Sequence, residues 1–222
     1  MVSLNKLIVL EGSGDGVGKS TQLKLLKHAL IKEGYKVTNC HFPSYGEPSA
    51  AGVELYLQGK LGEIKDLSPY FINNLYAHNR AIVWQTQLRP AYENGDTILL
   101  DRYTTSSLIY QAATYESLEE KKEYINYTMD YEYNKLGIKE PDQVLYLWGP
   151  YDLLRQMILK RYSNDGVAND IYERNEAFLK KVYETSMFVA DYLKWDHVDC
   201  APKGKLLSIE EIHQKVYSLV KK

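Results

Sequence analysis

Short, almost wholly apolar runs alternate along this chain with longer stretches in which apolar side chains return every three or four residues. Residues 6–10 (KLIVL) end in Glu11 and a glycine cluster, the pattern of a parallel strand buried on both faces. Leu23, Leu26, Ala29 and Leu30 then recur at helical spacing, and Gly34 supplies a stop. Residues 36–42, closed by Pro43, predict a second strand, and residues 97–100 (TILL) a third, ended by Asp101 and Arg102. Residues 143–148 (QVLYLW) predict a fourth strand and residues 197–200 a weak fifth. Helical patterns cover 69–93, with Leu75, Ile82, Trp84 and Leu88 as candidate buried positions, and then 106–113 and 119–136. The last helix has the clearest start. Ser208 and Glu211 form a capping box, Leu207 staples onto Ile212, and Ile209, Ile212, Val216 and Leu219 are expected to face the core.

Strands separated by helices throughout predict right-handed βαβ units and a doubly wound, five-stranded parallel sheet flanked by helices, an α/β fold. Such sheets bind ligands at the carboxyl ends of their strands, where the glycine cluster, Phe42-Pro43 and Asp101-Arg102 would gather. No repeat, low-complexity tract or linker interrupts the 222 residues, so one domain over 1–222 is expected. A hydrophobic fraction of 45% with 25% charged residues supports a substantial core and argues against disorder. With 27 Lys and Arg against 29 Asp and Glu, the chain lacks the positive excess that a nucleic-acid polymer requires, although a single nucleotide does not require it. No apolar run approaches the roughly 20 residues of a membrane span, so no membrane partner is expected. Cys40 and Cys200 are too few for a disulfide framework or a zinc site, which points to a cytoplasmic setting. The five histidines lack metal-ligand spacing and read as structural or surface residues.

The most informative segment runs from Glu11 to Thr21 (EGSGDGVGKST). Glycines 12, 14, 16 and 18 let the backbone fold so tightly that several amide hydrogens point at one anion, and the helix that follows adds its positive end. Gly14 through Thr21, that is Gly14, Asp15, Gly16, Val17, Gly18, Lys19, Ser20 and Thr21, are therefore the candidate ATP-binding residues. Lys19 would reach the β- and γ-phosphates and Ser20 would ligate Mg²⁺. The pattern G-x-x-x-x-G-K-[ST] places Ser13 where its first glycine belongs, because the loop is one residue longer than the pattern. The extra residue either folds out as a bulge or weakens phosphate binding. Asp101, at a strand end, is open to a Mg²⁺ water shell or to the surroundings of a nucleophilic phosphate, and Arg102 suits a bridge between donor and acceptor phosphates.

Five segments in order resemble the thymidylate kinase family: EGSGDGVGKSTQ, Phe42-Pro43 with Tyr45, Leu75 to Arg80, Asp101-Arg102-Tyr103 through Ser106-Ser107 to Tyr110-Gln111, and Asp170 to Glu173. The resemblance implies phosphorylation of dTMP to dTDP by MgATP, with dTMP opposite ATP across the strand ends. It implies that Tyr76 stacks on the thymine and Arg80 hydrogen-bonds the base; spacing alone is equally satisfied by a core tyrosine and a solvated neighbour. It further implies that Arg102 orients the dTMP phosphate, that Tyr110 crowds the sugar's 2′ position, and that Ser107 and Gln111 contact the base. Asp15, Tyr45 and Asp170 would lie near the 3′-hydroxyl, with Phe42 and Tyr172 completing the dTMP set. Because no Arg follows Asp15, a short lid around 160–173 would donate the transition-state charge, Arg161 first, then Lys160, Arg155 and Arg174. The catalytic set is thus Lys19, Asp101, Arg102 and Arg161, with Ser20 and Asp101 as metal ligands. The family also implies a homodimer. Two departures stand out: Ser44 replaces an arginine, and Trp148-Gly149-Pro150 replaces an acidic residue before Pro-Pro.

Two other readings stay open. A deoxynucleoside kinase shares the scaffold but needs a base for a hydroxyl proton. A nucleotide-binding switch without turnover is the second, although Asn134-Lys135-Leu136-Gly137 lacks the aspartate of a guanine motif.

Overall fold

The first apolar run folds as β1 (Leu7–Gly12), every residue of it buried, because it lies in the middle of a sheet with helices on both faces. The computed structural model describes residues 4–14, 16–165, 171–172 and 174–222, the side chains of residues 160–165 excepted. After β1 come α1 (Lys19–Lys32), β2 (Val37–His41), α2 (Ala51–Leu57) and α3 (Pro69–Val83). A π turn (Trp84–Leu88) joins α3 to α4 (Arg89–Glu93), so the helix expected over 69–93 is continuous in path but not in geometry. Then follow β3 (Thr97–Asp101), α5 (Thr104–Tyr110) and α6 (Leu118–Met129), which runs into a second π turn (Asp130–Lys135). The chain continues with β4 (Gln143–Trp148), α7 (Tyr151–Asp165), α8 (Glu176–Tyr192), β5 (Asp196–Asp199) and α9 (Ile209–Val220).

The five strands are all parallel in the order β2-β3-β1-β4-β5. The expected sheet is what forms. The apolar strands β1, β3 and β4 take the centre, whereas the more polar and more exposed β2 and β5 take the edges. Side chains alternate across the sheet. Leu7, Val9, Ile98, Leu100 and Tyr146 pack on one face with α3, α5, α6 and α8, while Ile8, Leu10, Leu99, Leu145 and Leu147 pack on the other with α1 and α9.

The cap of α9 forms as expected, Ser208 Oγ accepting from Glu211 N and Glu211 Oε2 accepting from Ser208 N. Two expected core positions do not. Ile82 and Ile209 are about half exposed, whereas Trp84, Leu88, Ile212 and Val216 are buried. Helical period places a residue on a face, but burial requires a neighbouring element over that face. Ile209 is the first residue of its helix, and Leu75 and Leu219 are only partly covered.

Candidate active site

The parallel register brings three strand ends together. Phe42 N–H donates to Asp101 O at 3.0 Å and Arg102 N–H to Leu10 O at 3.2 Å, so the residues that follow β1, β2 and β3 emerge side by side. The glycine loop rises from β1. Gly12 pairs with Leu147 and Ser13 N–H donates to Leu147 O at 3.0 Å, so the ladder runs one residue into the glycine segment and takes up the extra length there. A Cβ on Gly12 would stand 2.6 Å from Val17 Cγ1, and one on Gly16, where φ is +82°, 2.8 Å from Ile158 Cγ1. A side chain at either position would force its neighbour to shift, and at Gly16 it would also strain the backbone. Val17 turns its side chain into the core, Gly18 precedes α1, and Ser20 and Thr21 lie exposed in its first turn. Lys19, nearly buried, folds back so that its Nζ donates to Gly14 O at 3.0 Å. Asp15 lies outside the described residues.

Beside this loop, Ser20 Oγ donates to Asp101 Oδ2 at 2.5 Å, and Asp101 Oδ1 is a buried oxygen with no partner among the described residues. Burial would raise the Asp101 carboxyl, but hydrogen bonds from His41 and Ser20 and the charge of Lys19 pull it down to about 2. Asp101 is therefore an anion near neutral pH. His41 Nδ1 stands 3.5 Å from Asp101 Oδ2, and its ring borders the adjoining cleft. His41 is thus an exposed histidine that pairs with Asp101, within the expectation that the histidines are structural or surface residues.

That cleft, of ≈ 250 Å³, receives nine of the eleven residues assigned to dTMP. Phe42 and the exposed Tyr45 come from the end of β2, and Tyr76 and Arg80 from successive turns of α3. Arg102 follows β3, Ser107 and Tyr110 lie on α5 with Gln111 just beyond it, and Tyr172 closes the far side. Asp170, the last of the set, lies outside the described residues. Gln111 Nε2 and Tyr56 Oη both donate to Tyr172 Oη at 3.0 Å, which leaves buried Gln111 Oε1 without a partner among the described residues. Ser44, in place of the family's arginine, ties its loop to α3 instead: Asn79 Oδ1 accepts from Ser44 N and Asn79 Nδ2 donates to Ser44 Oγ at 2.6 Å.

Arg80 is not the solvated neighbour that spacing alone allowed. It is 2% exposed and forms a two-pronged ion pair with Glu132, Nε to Oε2 at 2.7 Å and Nη2 to Oε1 at 2.6 Å. Burial would lower its basicity, but the Glu132 charge more than compensates and holds Arg80 above its ordinary value. Glu132 escaped the sequence reading, although a signal existed: Ile125, Thr128, Glu132 and Leu136 share one helical face, and a lone glutamate on such a stripe calls for a buried partner.

Arg102 stands where the cleft meets the loop, its guanidinium carbon 5.5 Å from the Tyr110 ring centre and its Nη1 3.4 Å from Ser106 Oγ. Its φ of +66° is unusual for a residue with a side chain, and neighbours hold it there. Glu11, fully buried beneath it and also missed by the sequence reading, accepts from Thr105 Oγ1 and Ser106 Oγ at 2.8 and 2.6 Å and lies 3.9 Å from Arg102 Nη1. Tyr110 borders both this cleft and a small cavity beside Ser13 and Gly14, where Arg155 also lies, paired with Glu176 at 2.5 Å. Arg174 borders a groove on another side of the molecule, with Lys65 and Lys181. The side chains of Lys160 and Arg161, and the rest of the expected lid through Asp170 together with Glu173, are outside the described residues.

A glycine loop leading into α1 and a cleft beside it, over the strand ends of a parallel sheet of this order, place the chain in the class of P-loop nucleotide kinases. A family model described as thymidylate kinase matches residues 10–216. The thymidylate kinase of Thermoanaerobacter sp. (strain X514) is 33% identical over 179 residues, spanning 81% of this chain and 80% of its own. That of Leifsonia xyli subsp. xyli (strain CTCB07) is 42% identical over 106 residues, 48% of each chain. A solved thymidylate kinase from Candida albicans shares the fold over 100% of this chain and 93% of its own, with a TM-score of 0.74 at 24% identity. The chain belongs to the thymidylate kinase family, and its activity is the ATP-dependent phosphorylation of dTMP.

Proposed function

We propose that this chain carries out the family's transfer, from ATP to dTMP, with the residues gathered at the ends of β1, β2 and β3 in the following roles. The glycine loop and the start of α1 hold the donor phosphates, and Lys19 carries positive charge to the β- and γ-oxygens. Tyr76 stacks on the base, Arg80 donates to a carbonyl oxygen of it, and Gln111 Oε1, a buried acceptor lacking a partner among the described residues, suits the ring N–H of a thymine. Tyr110 crowds the 2′ carbon, and Asp15, Tyr45 and Asp170 serve the 3′-hydroxyl. Arg102 orients the acceptor phosphate, one of whose oxygens forms the new P–O bond as the bond from γ-phosphorus to ADP breaks. Two polyanions repel, and cations held between them stabilise the charge spread over the transferring group. Arg161 is the proposed lid cation, and the whole of 1–222 is read as one domain with that lid around 160–173.

Ser20 and Asp101 fit Mg²⁺: a hydroxyl and an ionised carboxylate side by side, one carboxylate oxygen buried without a partner among the described residues, make the hard oxygen set this ion takes alongside substrate phosphates. Bound there, the ion neutralises charge on the β- and γ-phosphates.

The observation that carries this reading is the cleft's lining, which includes Tyr76, Arg80 and Arg102 and, among the described residues, no carboxylate. A nucleoside hydroxyl needs a base to take its proton, whereas a phosphate already presents its oxygen and needs a cation. With MgATP, initial rates of ADP release are expected to be highest for dTMP among dTMP, dUMP, dGMP and thymidine. Preference for thymidine would favour the deoxynucleoside kinase, and ATP binding without dTMP-dependent ADP release would favour the switch.

The protein is further proposed to be a cytoplasmic homodimer. Both cysteines are free thiols, as in a reducing compartment, and among the described residues no helix is long and apolar enough to cross a membrane. Phe71 and Ile82, eleven residues apart, expose apolar surface on one side of α3, and exposed Tyr127 of α6 packs against Tyr70 at 4.7 Å between ring centres, extending it. Light scattering should give twice the subunit mass; a single subunit's mass would remove this part.

A further inference from the structure

The Arg80–Glu132 pair is built more heavily than a buried ion pair needs for neutrality alone. Arginine has five N–H donors in a fixed fork. Nε and Nη2 are committed to Glu132, and Nη2 also reaches Asn73 Oδ1 at 3.1 Å and Ser107 Oγ at 3.0 Å. Nη1 makes one long contact, 3.4 Å to Tyr103 O, so one of its two hydrogens has no acceptor among the described residues while Arg80 lines the cleft. Glu132 is itself fully buried and held: Thr104 Oγ1 donates to Oε2 at 2.8 Å, and the residue sits within the π turn that follows α6, a helix distortion that recurs at functional sites. Three elements, α3, α5 and the π turn, thus converge on one guanidinium.

We propose that Glu132 is a positioning residue for base selection: by gripping the Nε and Nη2 side of Arg80 it aims the remaining Nη1 donor at the base, so that a pyrimidine with a carbonyl at the read position is accepted and one with an amino group there is refused. A guanidinium only donates, so an amino group facing it leaves two donors opposed and both unsatisfied in a buried site. This rests on the reading of the cleft as the dTMP site. A fixed fork is what makes the discrimination sharp, since a mobile arginine would swing to the acceptor phosphate, where its charge is attracted most strongly.

The test is steady-state kinetics with MgATP, dTMP and dCMP on the wild-type protein and Glu132→Gln. Glutamine matches the shape but sets an N–H₂ against one prong of the fork. The KM for dTMP is expected to rise and the dTMP-to-dCMP ratio of kcat/KM to fall, each about tenfold, the size of one hydrogen bond to a charged group. The KM for ATP, and kcat at saturating dTMP, should move much less. A folded variant whose ratio and KM for dTMP are unchanged overturns the proposal, as does an equal loss of kcat on both nucleotides, which a structural role alone would produce. If Glu132→Gln does not fold, Thr104→Val, which removes one of Glu132's hydrogen bonds and keeps the ion pair, should shift the ratio in the same direction by a smaller factor, and an unchanged ratio there is equally decisive against it. Wild-type protein that ignores dTMP overturns the site reading itself, whereas selective wild-type protein with an equally selective variant overturns only the role of Glu132.

Discussion

Replacing Lys19 by alanine should lower kcat by about 10² or more while the protein stays folded. The charge of Lys19 is worth so much because of where it sits. It is nearly buried at the first turn of α1, and its Nζ already lies against the glycine loop on Gly14 O. In a site from which water is excluded, a fixed cation stabilises developing phosphate charge far more than it would in solvent, and no reorganisation is needed at the moment of transfer. Stability should change little, because alanine is the best helix former. A coupled assay of ADP release checks the rate and a urea titration checks the fold. Turnover within a few-fold of wild type would remove Lys19 from the transfer.

Arg102→Ala is the second large effect, a loss of roughly 10³ in kcat/KM for dTMP. Arg102 lines the cleft, with the Tyr110 ring, which borders both the cleft and the cavity beside the glycine loop, on one side and Glu11 below. Holding a residue with a side chain at φ +66° costs on the order of 1 kcal/mol, a strain sustained here by the Arg102 N–H to Leu10 O bond and the packing around it. In the proposed role, that guanidinium would bridge the donor and acceptor phosphates. Arg102→Lys should recover only part of the loss, since an ammonium keeps the charge but not the planar fork that spans two oxygens. Rates on both variants, measured across dTMP concentrations, decide it: a lysine variant equal to wild type would mean that charge alone matters, and an active alanine variant would remove the bridge.

Sheet and loop were legible along the chain because their signals are local. A run such as LIVL or TILL has no polar face to offer water, so it has to lie inside a sheet, and all of β1 and β3 is buried. The cap at Ser208 and the glycine spacing before Lys19 are likewise properties of a few consecutive residues. Helix interiors were less legible. The stripe at 69–93 placed Trp84 and Leu88 correctly but sent Ile82 inward, and it gave no warning of the π turn at 84–88.

What the amino-acid order determined by itself was the alternation of strands and helices, the glycine turn ahead of Lys19, and the family's residues in their order. Each depends on neighbours a few bonds apart, whose preferences survive in any surroundings. Only the folded chain decided that Arg80 is gripped by Glu132, 52 residues away, that Thr105 and Ser106 bind Glu11 beneath Arg102, and that Ser44 serves α3. Such pairs exist because burying a charge or a polar group demands a partner, and which partner is near enough depends on how the helices lie over the sheet.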